Sequence, residues 1–275
     1  MDFEVTPVFP TLIGRFRVPD ADSMNRDLHA LILAEEEKYA SLGRSNIGGW
    51  HSRPDFLNWR DPAVSALTTW VTWVLRRMID ASAGADAFQG TLSVSAWATL
   101  CRAGAYHAPH SHPDSAWSGV YYVDPGTDSP ERPLSGVLEF LDPRSGVEAV
   151  TAPGDPYGEP FRVRPQAGLL VVFPSWLYHW VHPYVGQTPR IAISFNATLA
   201  PVPANQPNAA ICSDPIAFQP AQERTVYVHA HPFRQIFSRG SIDVPDDVRE
   251  FRARARSAIP ADQPGGRSQR DEGRE

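Results

Sequence analysis

The pattern of apolar and polar positions changes near residue 90. Before it, apolar residues recur at helical spacing in two segments, 21–41 and 61–81, so both are predicted to be amphipathic helices that brace a sheet. In the second, Asp61 can cap the helix and Pro62 stands at its first position. Its apolar stripe consists of Val64, Leu67, Val71, Val74, Leu75 and Met78. The segment between the helices, 44–60, is predicted to be an ordered loop.

From about residue 91, short apolar or alternating runs are separated by Gly, Pro and Asp, which is typical of strands. The predicted strands are 92–101, 117–124, 136–141, 147–151, 160–164, 168–173, 179–182 and 190–198. Short strands after two helices favour a mainly β fold with supporting helices, a double-stranded β-helix or jelly roll. Another β-rich topology would give similar spacing.

We therefore expect one main domain with four parts. Residues 1–90 form a helical support and cap, and 91–200 form the jelly-roll core. Residues 201–258 form an extension that packs on the core, with a short segment at 224–238 and a helix at 245–258. Residues 259–275 are polar and punctuated by Gly and Pro, so they are predicted to be disordered.

Charge and composition narrow the classes of partner. A formal net charge of −6 and a pI near 5.8 argue against nucleic acid or an anionic membrane surface, which leaves a small-molecule substrate as the expectation. No apolar run reaches the roughly 18 residues that a membrane span requires, and the two cysteines do not make a disulfide framework. A cytoplasmic protein is expected, with a homodimer left open. Lys38 is the single lysine, so an anionic ligand would be held by arginine.

Three histidines, at positions 107, 110 and 112, fall close together. Residues two apart on a strand share a face, so His110 and His112 would point together, with Asp114 next in phase. Such a pair supplies two-thirds of a facial metal triad of the kind that binds non-haem iron. A strand that opens at Gly168 and is broken at Pro174 precedes His179, the candidate for the third ligand.

The strand that begins at Arg190 alternates clearly. Arg190, Ser194 and Asn196 share one face, and apolar residues occupy the other. An inward arginine needs a partner. A salt bridge from Arg190 and a hydrogen bond from Ser194 would together suit the carboxylate of an anionic cosubstrate.

Several motifs add a family resemblance. HSHPDSAWSGVYYV at 110–123, LDPR at 141–144, FPSWLYH at 173–179 and RIAISFN at 190–196 resemble the 2OG-Fe(II) oxygenases, and SNIGGWHS at 45–52 also looks similar. The resemblance implies a double-stranded β-helix that uses Fe(II), 2-oxoglutarate and dioxygen. It also implies that His110 and His179 are iron ligands.

The middle ligand stays open. The two histidines of the motif favour His112, whereas the carboxylate of the usual triad favours Asp114. Asp114 could instead accept the hydrogen bond of a ligand histidine.

Other residues are candidates for the site because of their positions in the sequence. Arg190 and Ser194 would bind the C5 carboxylate of 2-oxoglutarate, with Tyr121 beside it, although either Tyr121 or Tyr122 could face inward. Arg144, Trp50 and His51 are candidates for substrate binding.

The expected reaction is oxidation of an unactivated C–H bond in a small, amino-acid-like natural-product intermediate. Hydroxylation is the default, with desaturation or ring closure such as cyclopropanation as further options. A cupin-type metalloenzyme without 2-oxoglutarate and a non-catalytic metal-binding β-barrel are the alternatives.

Overall fold

Two antiparallel sheets face each other in the computed structural model, which describes residues 3–4, 8–85, 87–149, 160–201 and 224–228. The strands are β1 (Gly14–Arg17), β2 (Asn46–Ile47), β3 (Trp50–His51), β4 (Gly90–Cys101), β5 (Tyr106–His110), β6 (Trp117–Asp124), β7 (Leu138–Phe140), β8 (Phe161–Val163), β9 (Leu169–Pro174), β10 (His179–Val181), β11 (Arg190–Pro201) and β12 (Arg224–Val228). The larger sheet has the order β1-β9-β6-β11-β4-β12, with β3 paired to β4, and the smaller has the order β2-β5-β10-β7-β8. From β4 to β11 the chain passes back and forth between the sheets, which is the jelly-roll arrangement. The predicted double-stranded β-helix is confirmed.

Two α-helices precede β4: α1 (Asp22–Lys38) and α2 (Pro62–Ala83). As predicted, Asp61 caps α2, since its side chain accepts a hydrogen bond from the backbone N–H of Ala63 at 2.7 Å. All six residues of the predicted α2 stripe are buried. Neither helix in the described part of the chain combines the length and the apolar character that a bilayer crossing requires.

The larger sheet separates two apolar regions. Its outer face packs against the helices through residues such as Ile191, Ile193 and Phe195. Its inner face packs against the smaller sheet through Val120 and Ala192, among others. Because successive side chains of a strand point to opposite faces, the polar set on β11 faces the space between the sheets. That space contains the site.

The structure also corrects several local predictions. Residues 147–149 form a 3-10 turn instead of a strand, and 44–60 contains β2, β3 and a 3-10 helix at Phe56–Asn58. The strand β1 was not predicted. Strands this short owe their geometry to pairing with distant strands, so the local pattern carries little signal. Of the C-terminal predictions, β12 falls within 224–238, and the rest of 202–275 lies outside the described residues.

Candidate active site

Neighbouring strands of the smaller sheet bring two of the candidate ligands together. His110 ends β5 and His179 begins β10, and the two are direct partners in the antiparallel pairing. His112 lies just beyond β5, where its backbone N–H donates to the carbonyl of Ser175 at 2.9 Å. One ring nitrogen from each of the three histidines lies within 4.8 Å of the others. This spacing suits a single metal ion bound by three imidazoles.

The hydrogen bonds of the histidines favour metal binding. His110 Nδ1 is 2.7 Å from the carbonyl of Ala108, and His179 Nδ1 is 2.8 Å from that of Leu177. A carbonyl can only accept, so each Nδ1 carries the proton and each Nε2 keeps its lone pair for a ligand. Burial, together with the neighbouring histidines, lowers the pKa of His179 to about 3 and that of His112 to about 4. The imidazoles are therefore neutral at physiological pH.

Asp114 does not join this cluster. Its side chain is exposed, its φ is 65°, and its backbone carbonyl accepts from the Thr198 hydroxyl at 3.4 Å. The strand ends at His110, so the in-phase alternation expected from His110 to Asp114 is not maintained. The expected carboxylate position thus turns away from the imidazoles because the backbone enters a left-handed turn after Pro113.

A buried cation lies deeper in the same space. Arg190 is 2% exposed and its Nε has no hydrogen-bond partner among the described residues. Its guanidinium carbon is 5.2 Å from the ring centroid of Tyr122, whose buried hydroxyl also lacks a partner. No described carboxylate pairs with Arg190. A buried guanidinium that no described carboxylate neutralises, beside a buried hydroxyl, is suited to an anionic ligand that would pair with both.

His107 lies between Arg190 and the three histidines. Its ring centroid is 6.4 Å from that of His110, and its Nε2 is 3.8 Å from the thiol of Cys101, the β4 residue paired with Arg190. Burial, together with the positive charge of Arg190, lowers the pKa of His107 to about 3. The uncharged His107 side chain therefore lines the part of the cavity that lies between Arg190 and the histidine cluster.

One cavity of about 510 Å³ contains all of these groups. That size is typical of small-molecule sites. The described lining residues include no aspartate or glutamate. Ser194 and Thr99 share the inner face of the larger sheet with Arg190, whereas Phe173, Val181 and Leu138 form an apolar wall beside the histidines. The cavity therefore has the positive charge of Arg190 at one end, and three histidines suited to a metal ion beside an apolar wall.

A comparison with protein families identifies the central part of the chain. Residues 95–196 match the family model described as "Putative 2OG-Fe(II) oxygenase". The matched span contains the three clustered histidines and Arg190. Residues 95–196 are a 2OG-Fe(II) oxygenase domain. Its cofactor is Fe(II) and its cosubstrate is 2-oxoglutarate, as the resemblance implied.

The oxygenase was also compared with other proteins individually. A search of curated protein sequences found no match. Among solved structures, a prolyl-4-hydroxylase from Pseudomonas putida is 20% identical, with 68% of this chain and 91% of that chain covered and a TM-score of 0.48. The epimerase SnoN from nogalamycin biosynthesis is 15% identical, with 82% and 94% covered and a TM-score of 0.49. HygX from Streptomyces hygroscopicus is 10% identical, with 68% and 83% covered and a TM-score of 0.45.

Of the remaining residues that were predicted to belong to the site, some line the cavity and others do not. His51 and Ser194 line the cavity of the oxygenase, but Tyr121 does not, because it faces α1 and donates its hydroxyl hydrogen to Asn25 Oδ1 at 2.6 Å. Trp50 also lies outside the lining, where its indole N–H donates to the carbonyl of Tyr39 at 2.8 Å. Arg144 is exposed and pairs with Asp142. The positions expected for Tyr121, Trp50 and Arg144 are therefore corrected.

Sequence reasoning did not assign several residues that line the cavity. Tyr122 was the alternative to Tyr121, and Trp97, Asn196 and Arg44 were given no role in the site. For Trp97 and Asn196 a signal was available in the alternation of the strands. Asn196 lies two residues after Ser194 on the same inward face of β11, and Trp97 on β4 is the direct pairing partner of Ser194. For Arg44 the only signal was its place in the segment 44–60.

Proposed function

We propose that this oxygenase binds Fe(II) through His110, His112 and His179 and oxidises a C–H bond of a small molecule that occupies the same cavity. The observation that carries the proposal is the placement of three neutral imidazoles and an unpaired buried arginine in one cavity without described acidic residues. Imidazole nitrogens suit Fe(II). A metal bound by three neutral ligands retains its charge of 2+, which favours an anionic cosubstrate beside it.

Arg190 would hold the C5 carboxylate of 2-oxoglutarate. A guanidinium offers a planar fork to a carboxylate, and the hydroxyls of Tyr122 and Ser194 lie on the same inner face of the larger sheet. Binding of the cosubstrate would satisfy both buried groups that lack partners. When bound, Fe(II) with 2-oxoglutarate and dioxygen supplies the oxidising chemistry. The chain contributes orientation and a wall that excludes water from the reacting carbon.

The apolar wall of Phe173, Val181 and Leu138 supports a substrate that presents an unactivated C–H bond near the histidines. Hydroxylation is the default outcome within this proposal, and desaturation or ring closure would use the same site. A natural-product intermediate derived from an amino acid remains the substrate class that we propose. A cytoplasmic location belongs to the same proposal, since a reducing compartment keeps Fe(II) and the free thiol of Cys101 reduced.

The deciding experiment loads the protein with Fe(II) and 2-oxoglutarate without oxygen and records the visible charge-transfer absorption of the chelate. Oxygen is then admitted and succinate is measured. We expect absorption and succinate from the wild type. If the wild type shows neither the absorption nor succinate, even with candidate substrates present, the proposal is wrong.

Arg190→Gln tests the role of the arginine in the same assay. This variant should bind Fe(II) normally but require about tenfold more 2-oxoglutarate, because a hydrogen-bonded charge pair is lost. The control is Arg26→Gln, an exposed residue of α1 with the same change of charge. Equal loss of iron and 2-oxoglutarate binding in Arg190→Gln would mean that Arg190 is structural.

A further inference from the structure

The cavity has a second arginine that the cosubstrate does not use. Arg44 lines it together with Arg190, but its side chain is exposed and lies at the opening. The described residues give the Arg44 guanidinium no ion pair or hydrogen bond, and no described carboxylate lines the cavity. Two positive charges therefore face a space in which the chain supplies no described negative charge.

The backbone holds Arg44 close to the candidate metal ligands. Its N–H donates to Asn46 Oδ1 at 2.9 Å, and Asn46 is itself buried on β2, paired with His107. The next residue, Ser45, accepts at its carbonyl from the N–H of Ala108, and its hydroxyl is 3.3 Å from His110 Nε2. Arg44 therefore directly precedes Ser45, which contacts the histidine cluster, and hydrogen bonds hold the backbone of both residues in place.

An aromatic surface connects the opening to the metal centre. The ring of His51 stacks on Trp97 with centroids 5.5 Å apart and planes 12° apart, and Trp97 is 5.8 Å from the ring of His112. Burial lowers the pKa of His51 and outweighs the hydrogen bond to the Ser52 carbonyl, and the positive charge of Arg44 acts in the same direction as burial, so the neutral ring is favoured. A substrate that reaches from Arg44 to the histidines would lie along these rings.

Asn196 also offers a hydrogen-bond donor to the cavity. The carbonyl of the Asn196 side chain accepts from the Ser118 hydroxyl at 2.8 Å, which leaves its NH₂ group without a partner among the described residues. Asn196 lines the same cavity. Both Arg44 and Asn196 therefore offer donors, which favours a ligand rich in acceptors. An ammonium group would find no described carboxylate to pair with.

We infer that the primary substrate is an organic acid whose carboxylate binds to Arg44, and that its carbon skeleton lies along His51 and Trp97 toward the three histidines. A single planar guanidinium fork matches a carboxylate, which accepts two parallel hydrogen bonds. The inference rests on the proposed function, because it assumes that Arg190 is occupied by 2-oxoglutarate. It also narrows the substrate class. If the substrate is derived from an amino acid, its amino group is expected to be acylated or otherwise uncharged.

The test measures binding of probes to protein saturated with Zn(II) and 2-oxoglutarate, so that Arg190 is occupied and no turnover occurs. The probes are sets of aliphatic and aromatic acids, each with its matched carboxamide and amine, and binding is followed by ligand-observed NMR. The proteins are the wild type, Arg44→Gln, Arg44→Lys and the control Arg26→Gln. Binding of 2-oxoglutarate to each protein is measured first.

In the wild type and in Arg26→Gln, acids should bind about tenfold more tightly than their amides, and amines should bind weakest. Arg44→Gln should remove that preference while leaving 2-oxoglutarate binding unchanged, and Arg44→Lys should retain part of it. No preference for acids in the wild type would overturn the inference, whether the amides bind equally well or no probe binds.

Loss of 2-oxoglutarate binding in Arg44→Gln would also overturn it, because Arg44 would then serve the cosubstrate. A different result would disprove the proposed function, namely the absence of the Fe(II)–2-oxoglutarate absorption in the wild type. The two failures are therefore distinguishable.

Discussion

The contacts of individual side chains separate the proposed metal ligands from neighbouring candidates. His179 has its Nδ1 against the carbonyl of Leu177, and its other nitrogen faces His110 and His112. His182, three residues on, instead places its Nε2 3.0 Å from Glu139. The same contrast separates His112, which is in the cluster, from the exposed Asp114.

Metal content should follow this division. His112→Ala and His179→Ala are each expected to lower the bound Fe(II) or Zn(II) far below one ion per chain, because each removes one of the three proposed ligands. Asp114→Ala and His182→Ala should retain close to the wild-type amount. Metal analysis after equilibrium dialysis makes the comparison. If Asp114→Ala loses as much metal as His112→Ala, the site contains a carboxylate and our ligand set is wrong.

The adjacent tyrosines of β6 are predicted to have separate effects. Tyr122→Phe removes a hydroxyl beside Arg190, which should weaken the binding of 2-oxoglutarate by about 1 kcal/mol. The 2-oxoglutarate concentration for half-maximal turnover should therefore rise several-fold. Tyr121→Phe should leave that concentration unchanged but lower the free energy of unfolding by about 1 kcal/mol, because Asn25 loses its hydrogen bond. Succinate assays and urea unfolding measure the two effects. The reverse assignment would mean that the strand faces are exchanged.

At the level of elements, Glu139 of β7 joins three parts of the smaller sheet. It accepts hydrogen bonds from Arg162 of β8 at 2.5 Å and from Trp180 of β10 at 3.1 Å, and it also contacts His182. Burial acts to raise the pKa of Glu139, but these hydrogen bonds outweigh it, so the pKa is below its ordinary value. The ionised carboxylate is therefore the form that stabilises the fold.

This arrangement predicts a pH-dependent loss of stability. A carboxyl whose folded pKa is depressed adds stability above its unfolded pKa of about 4.3, and that stability is lost as the pH falls through the folded pKa. Glu139→Gln should cost about 1–3 kcal/mol at pH 7, and the difference from wild type should shrink below about pH 4. Urea unfolding across pH tests it.

Asp142→Asn is the control for Glu139→Gln, since the pair of Asp142 with Arg144 is exposed and should contribute little. An equal effect of both substitutions would contradict the role of Glu139.

For the whole molecule, ligand binding should appear as added stability. A ligand that binds only the folded state, present at a hundred times its dissociation constant, adds about 2.7 kcal/mol. For a domain of this size that corresponds to a rise in Tm of roughly 5–10 °C. Zn(II) and then 2-oxoglutarate should each raise the Tm of the wild type. In Arg190→Gln the increment from Zn(II) should persist and that from 2-oxoglutarate should largely disappear. Loss of both increments would indicate a structural role for Arg190.

The sequence by itself predicted the features that depend on local order. Asp61 and Pro62 start α2 because a cap and a fixed φ act within one turn, and the apolar stripe follows from the helical period. The alternation on β11 placed Arg190 and Ser194 on one face for the same reason, since the period of a strand is two residues. The histidine motif and the resemblance it carries indicated the jelly roll and the oxygenase.

Only the tertiary structure decided which face or turn each ambiguous residue occupies. From Trp117 to Val123 every residue of β6 is buried, because α1 covers one face of the sheet and the second sheet covers the other. Burial alone thus could not separate Tyr121 from Tyr122. Likewise, the turn after His110 removes Asp114 from the cluster, and pairing of β2 with β5 brings Arg44 to the cavity. Local periodicity fixes the relative phase of side chains, whereas packing between distant segments determines what each face meets.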